Sequence, residues 1–469
     1  MSYRRIPLQL AGGTDQGHSI QQGHELSQNC MMHVSGDVVS MIGTPGSTVF
    51  SEAVNSAADR GSHIFNLELY QVSGTTLEKI ANDGVRTNLG VIPGTGRCIF
   101  EDDRTDMYIV TGGRVFKYNT ILSEVTDSDL ESPNSIAYLN RKFIYDGAGH
   151  NFWVSDVGDG STIDSDEQGV AESDPDNLLR VYTYDQRVYM FGEKSVEPHY
   201  DAGTGTPPIK RIENAIAEKG LGAIYSVSHT DAAMYFLGDD LNLYQLAGSQ
   251  IKNISNSGIA KEINGFSDAS DAIGFCFNLE GQDCYYITFP TGNKSFLYSE
   301  TADEIYTMTY GVSGDRHLAS SYQYCYGKHL ITDRRSGRIL EWSLSVNAEA
   351  GEVIQRRRII PNINGSLLKT PGNKLQLSTV EVQMQQGLGL AGSVQGSDPI
   401  LMLEVSSDGG QTWDTIHNIR TGEAGEFSHK IKADHLTSFY DGVVRITQSD
   451  PTPFNIRGLF VHIKPIGDY

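Results

Sequence analysis

Seven times between residues 61 and 345 the chain repeats one pattern: an apolar strand, a tight turn, and a second strand that often ends on an aromatic. The first copy is Ile64-Phe-Asn-Leu-Glu-Leu-Tyr70, followed by MYIVTGGRVFKY from Met107 and KFIYDGAGHNFWVS from Lys142. RVYMFGEKSVEPHY from Arg187, AMYFLGDDLNLYQL from Ala233, CYYITFPTGNKSFLY from Cys284 and KHLITDRRSGRILEW from Lys328 complete the set. Several copies alternate with a period of two, as a half-buried strand must. The turns carry GG, GE, GDD, TGN and RSG, residues that accept the positive φ of a tight hairpin. The copies start roughly 35 to 50 residues apart, the spacing of propeller blades built from four short strands each. The expectation is a mainly β chain holding a β-propeller of five to seven blades. Fifty glycines and 23 tyrosines, without any long helical periodicity, agree with many short strands and turns.

The flanks follow other patterns. Residues 1–60 are rich in Gly, Gln and Ser, with periodicity only in MMHVSGDVVSMIGTPGSTVF, and read as an extended arm with the first strands. Residues 61–349 are assigned to the propeller and 350–469 to a C-terminal β-sandwich. Its strands are expected at Gly351–Ile360, Leu375–Gln385, Ile400–Ser406, Phe427–Ile431, Gly442–Gln448 and Gly458–Lys464. Residues 156–177, DVGDGSTIDSDEQGVAESDPDN, read as an acidic loop between two blades.

Charge narrows the function classes. With 58 acidic against 36 basic residues the net charge is −22, the wrong sign for a protein that grips DNA through its phosphates. An acidic surface is compatible with a path along which DNA passes without adhering. No run of about 18 apolar residues is present, so no membrane contact is expected. MSYRRIPLQLAGG has two arginines but no apolar run behind them, so a secretory signal is not expected. The five cysteines, Cys30, Cys98, Cys276, Cys284 and Cys325, are widely spaced and read as free buried thiols of a protein folded in a reducing compartment.

Few motifs could carry chemistry. Ser406-Ser-Asp408-Gly-Gly410-Gln-Thr-Trp413 matches the Asp-box pattern S-x-D-x-G-x-x-W, which resembles the hairpin turns of sialidases. It reads as a turn device: the Asp accepts from turn amides, Gly allows positive φ and Trp packs under the hairpin. A propeller hydrolase would show several such boxes and an arginine cluster on the axis, and the sequence shows one box and no such cluster. Acidic residues are too many to single out the carboxylate pair a glycosidase needs. Asp156, Asp159, Asp164, Asp166 and Glu167 lack EF-hand spacing, and His417, His429 and His435 lack zinc spacing. Gly94-Thr-Gly96 and Gly203-Thr-Gly205 lack a phosphate-loop context. No catalytic residue, cofactor or metal is assigned. Arg356-Arg357-Arg358 is the one compact basic cluster. On a strand Arg356 and Arg358 share a face, which suits an interface, a DNA-facing patch, or a charged edge strand.

Three stretches resemble the packaged-DNA stabilisation proteins of short-tailed, podovirus-type phages, also known as tail accessory or hub proteins. They are Ile6-Pro-Leu-Gln-Leu-Ala-Gly with Gln28-Asn-Cys-Met-Met32 and Met41-Ile-Gly-Thr-Pro-Gly-Ser47; the middle from Arg187 to Pro290; and the C-terminal strands with SSDGGQTW. The resemblance implies a non-enzymatic virion tail protein, a hub or nozzle folded in the host cytoplasm. It would form a homo-oligomeric ring, a hexamer, below the portal and its adaptor. The ring would retain packaged DNA, pass it at ejection, and carry fibres, spikes or a needle. The alternative is a propeller glycan hydrolase or a glycan-binding receptor module.

Overall fold

The computed structural model describes the chain except Met1, Ala11, residues 18–24, 36, 37, 55, 172–175 and 467–469. The middle strands of each repeat decide the architecture. Met107–Thr111 is buried at every position, whereas Leu122–Glu124, the last strand of the same sheet, is largely exposed. A strand covered on both faces needs neighbouring sheets on both sides, so the sheets stack radially around an axis.

Six blades take four antiparallel strands each from consecutive chain: residues 59–91, 99–124, 136–170, 178–211, 228–253 and 273–310. A seventh is composite. Ala319–Cys325, Lys328–Asp333 and Ile339–Ser343 are completed by Gly46–Ser51, with Leu340 opposite Val49 and Trp342 opposite Ser47. The ring closes where blade seven meets blade one, through Ser62 and Ser321 hydroxyls at 2.8 Å and the Gln323 amide donating to the Ser62 carbonyl at 2.8 Å. The blade turns use the expected chemistry: Gly112 and Gly113, at φ 56° and 74°, join the middle strands of blade two.

Two further sheets form the sandwich. One joins Cys30–Ser35, Val38–Gly43, Asn455–Pro465, Leu375–Met384 and Lys432–Asp434, with Arg4–Leu8 on Asn455–Pro465 and Ser438–Phe439 on Leu375–Met384. The other joins Leu26–Gln28, Arg356–Asn364, Asp441–Gln448, Ile400–Ser406 and His417–Arg420. It continues blade six, because Gln28 pairs in parallel with Thr307. Buried Asn29, at φ 51°, holds that seam: its amide donates to Thr309 Oγ1 at 2.8 Å and its carbonyl oxygen accepts from the Thr309 N–H at 2.7 Å. Met31, Met41, Leu377, Leu403, Ile446 and Val461 share one core with Phe277 and Trp342 of the propeller.

Three expectations need correction. Residues 1–60, expected as an arm with the first strands, are integral to the fold: their strands complete blade seven and both sandwich sheets, and Asp59 opens blade one. Apart from the local hairpin of Cys30–Ser35 with Val38–Gly43, their partners lie hundreds of residues away, so no local pattern announces the pairing. The acidic loop does not lie between two blades over its whole length. Gln168–Val170 is the short fourth strand of blade three, so residues 155–167 are an excursion within that blade, while 172–175 lie outside the described residues. Phe427–Ile431 is not a strand. The pairing falls on Lys432–Asp434, and His417–Arg420 adds an edge strand, both too short and polar to stand out.

Candidate functional site

The basic cluster sits on Arg356–Asn364, an interior strand paired with Leu26–Gln28 on one side and Asp441–Gln448 on the other. Its alternation sends Arg356 and Arg358 inward, at 1% and 0% exposure. Arg358 forms an ion pair with Glu25 and donates to Ser27 Oγ at 3.0 Å and the Gly13 carbonyl at 3.3 Å. Arg356 donates to the Thr452 carbonyl at 3.3 Å and to Asn347 at 3.2 Å. Burial lowers it to about 10, which leaves it charged at neutral pH. Its room comes from Gly43, where a Cβ would stand 2.2 Å from Arg356 Nε. Half-buried Arg357 points the other way and donates to Gln355 at 2.8 Å. The cluster is therefore neither a DNA-facing patch nor a charged edge. Arg358 is a polar pin that holds the N-terminal segment onto a C-terminal strand, and Arg356 ties that strand to Thr452 and Asn347.

The Asp box follows Ile400–Ser406. Asp408 accepts from the Gln411 and Thr412 amides at 3.0 and 2.9 Å and from the Thr412 hydroxyl at 2.6 Å. Ser406 donates to Asp408 at 2.7 Å and accepts from the Gly410 amide at 2.8 Å. Hydrogen bonds from Thr412, and then from Ser406, hold the Asp408 carboxyl well below the usual carboxylate range. The Trp413 ring lies 3.9 Å from the Arg445 guanidinium, which pairs with Glu404 at 2.6 Å. We expect Asp408→Ala to lower Tm by a few degrees at pH 7. The loss should shrink as the pH falls below about 4, because a depressed carboxyl stabilises only while ionised. Thermal unfolding at pH 7 and pH 2 measures both, and an equal effect at the two would refute the turn role.

A third constellation escaped the sequence reading. The inner strands surround an axial cavity of about 470 Å³ whose lining includes Arg97, Glu101, Arg180, Tyr182, Tyr225 and His229. Two arginines thus do reach the axis, although they are 83 residues apart and share no motif. Arg97 donates to Ser320 Oγ at 2.9 Å and the Ser320 carbonyl at 3.2 Å, with Asp59 at 3.8 Å. Arg180 donates to the Ile224 carbonyl, and its Nε has no partner. Burial, reinforced by the Asp102 charge and opposed by Arg180, pushes the Glu101 carboxyl up to about 8. Asp102 is occupied by His63 at 2.7 Å and the Arg104 amide at 2.8 Å. Glu101 is the single acid in the lining, so the paired carboxylates of a glycosidase are not assembled at this cavity. Among the described residues no group of three or more His, Cys, Asp or Glu could hold a metal ion. No helix there is long and apolar enough to cross a membrane. The five cysteines are unpaired thiols, and Cys276 and Cys284 lie on adjacent strands.

Fold and site together define a closed β-propeller clamped to a β-sandwich by buried polar pins, a scaffold class in which each blade offers an outer face. A family model described as bacteriophage P22 Gp10, beta-propeller, matches residues 16–345. The chain belongs to that family of bacteriophage DNA-stabilisation proteins. No curated protein sequence matches it. Among solved structures it is similar to the extracellular domain of the putative hybrid two component system BT4673 from B. thetaiotaomicron. That likeness has 9% identity and a TM-score of 0.45 and covers 76% of this chain, which spans 45% of the other's length. The Neurospora crassa Pan2 WD40 domain gives 7% identity, TM-score 0.43, and 64% and 94% coverage of the two chains. BamB from Moraxella catarrhalis gives 10% identity, TM-score 0.39, and 73% and 97% coverage. The functions of these proteins do not carry over to this one.

Proposed function

We propose that this phage structural protein is a tail hub or nozzle subunit. It forms a homo-oligomeric ring below the portal and adaptor, closes the channel to retain packaged DNA, and anchors the tail appendages. The family match over residues 16–345 carries the reading. The buried state of Arg356 and Arg358 and the net charge of −22 support a wall past which DNA slides. Subunits of such charge repel one another, so the ring forms on the adaptor platform, where neighbouring proteins supply contacts. Light scattering of the purified chain, alone and with the portal–adaptor complex, tests this. Ring-sized assemblies only with the complex are expected, and a monomer in both conditions would refute the hub.

The free protein is expected to show no measurable affinity for duplex DNA at physiological salt, by fluorescence anisotropy. Micromolar, salt-sensitive binding would overturn the sliding wall while leaving the ring untouched.

A further inference from the structure

The axial cavity holds a buried arginine, Arg180, with no carboxylate within ion-pair distance among the described residues. Arg180 is 9% exposed, makes one hydrogen bond, lies 5.1 Å over the Tyr182 ring, and forms no ion pair among the described residues. A buried guanidinium in that condition is costly, since desolvation is repaid only by a counter-charge and filled donors. Its five N–H groups are built to clasp an oxyanion in a planar fork. Glu101 lines the same cavity but forms no ion pair with Arg180, and burial favours its protonated form. Arg97 lines the same cavity, with two of its N–H groups committed to Ser320. Tyr182, Tyr225 and His229 complete the wall, and the Tyr182 hydroxyl and His229 Nδ1 are already joined at 2.7 Å. The space of about 470 Å³ is within the range of small-ligand sites.

We propose that the axial cavity binds a small solute bearing one oxyanion, a carboxylate or a phosphate, clasped between Arg97 and Arg180. The site is independent of the virion role: it sits at the centre of one chain's propeller, not in a channel between subunits. One acid in the lining makes it a binding site and not a hydrolytic one. A bound anion would draw the inner strands of blades two, four, five and seven together and stabilise the fold by mass action.

The test is thermal unfolding and calorimetric titration of the full chain with inorganic phosphate and with malonate, at constant ionic strength against sodium chloride. A saturable Tm rise of several degrees with at least one of them, absent with chloride, is expected. Phosphate alone or malonate alone names the chemistry. Arg180→Gln and Arg97→Gln should each weaken the apparent affinity at least tenfold, and exposed Lys430→Gln should leave it unchanged. Arg97, less buried than Arg180, keeps the test open should the Arg180 variant misfold. An equal rise with chloride, no rise with either anion, or wild-type titration of the Arg97 variant would overturn the proposal.

Discussion

Arg358→Ala is expected to cost roughly 3–5 kcal/mol of stability. The side chain is fully buried and joins three parts of the N-terminal segment, Gly13, Glu25 and Ser27, to a strand some 330 residues later. Truncation leaves Glu25 without its cation, Ser27 without a donor, and a cavity where the guanidinium stood. Because the N-terminal strands also close blade seven, loosening them should spread into the propeller. Denaturant unfolding followed by tryptophan fluorescence reads this directly, since Trp342 lies in blade seven opposite Ser47. Arg358→Met with Glu25→Gln removes both charges at similar volume and should recover much of the loss, as replaced buried pairs often do. A change below about 1 kcal/mol in the alanine variant would show that the pin is not structural.

Glu101→Gln is expected to stabilise the protein in alkaline solution and to do little in acid. In the fold the carboxyl is raised from its ordinary value to about 8, so the protonated form is favoured. The sign follows from linkage. Its contribution is fully present below about pH 4.5 and is lost as the pH rises towards 8, where the unfolded chain releases a proton that the folded chain retains. Glutamine has nothing to ionise and removes that loss. The gain at pH 8 should be roughly 2–4 kcal/mol, and near zero at pH 4.5. The charged groups nearest Glu101 are Asp102, which raises the carboxyl further, and Arg180, which opposes it. Denaturant midpoints of both proteins at the two pH values decide the matter: an equal gap at both means that Glu101 titrates normally.

The blade hairpins were legible because their middle strands are buried on both faces. MYIVTGGRVFKY and its six counterparts carry an apolar signal that survives in one sequence, and six of the seven supply the central pair of a blade. Some inner and outer strands, Ser228–His229 and Gln168–Val170 among them, are two or three residues long and polar enough to pass as loop. Their pairing is imposed by the sheet beside them. The Asp box was legible for a similar reason, since Asp408 bonds residues within four positions of itself. The contact between its tryptophan and Arg445 was not legible, because Arg445 arrives from another strand.

The amino-acid order by itself therefore determined what depends on neighbours in the chain: the turns, the central hairpins, the all-β character and the acidic excess. Tertiary structure decided everything that depends on distant partners. Gly46–Ser51 becomes the last strand of a blade, and Asn29 a seam between two sheets. Three arginines that look like a surface patch become one half-buried and two buried side chains. Arg97 and Arg180 become neighbours around one cavity. Loop closure over such separations leaves no periodic trace, because each contact is specified by the shape and charge of the site that receives it and not by the residues on either side.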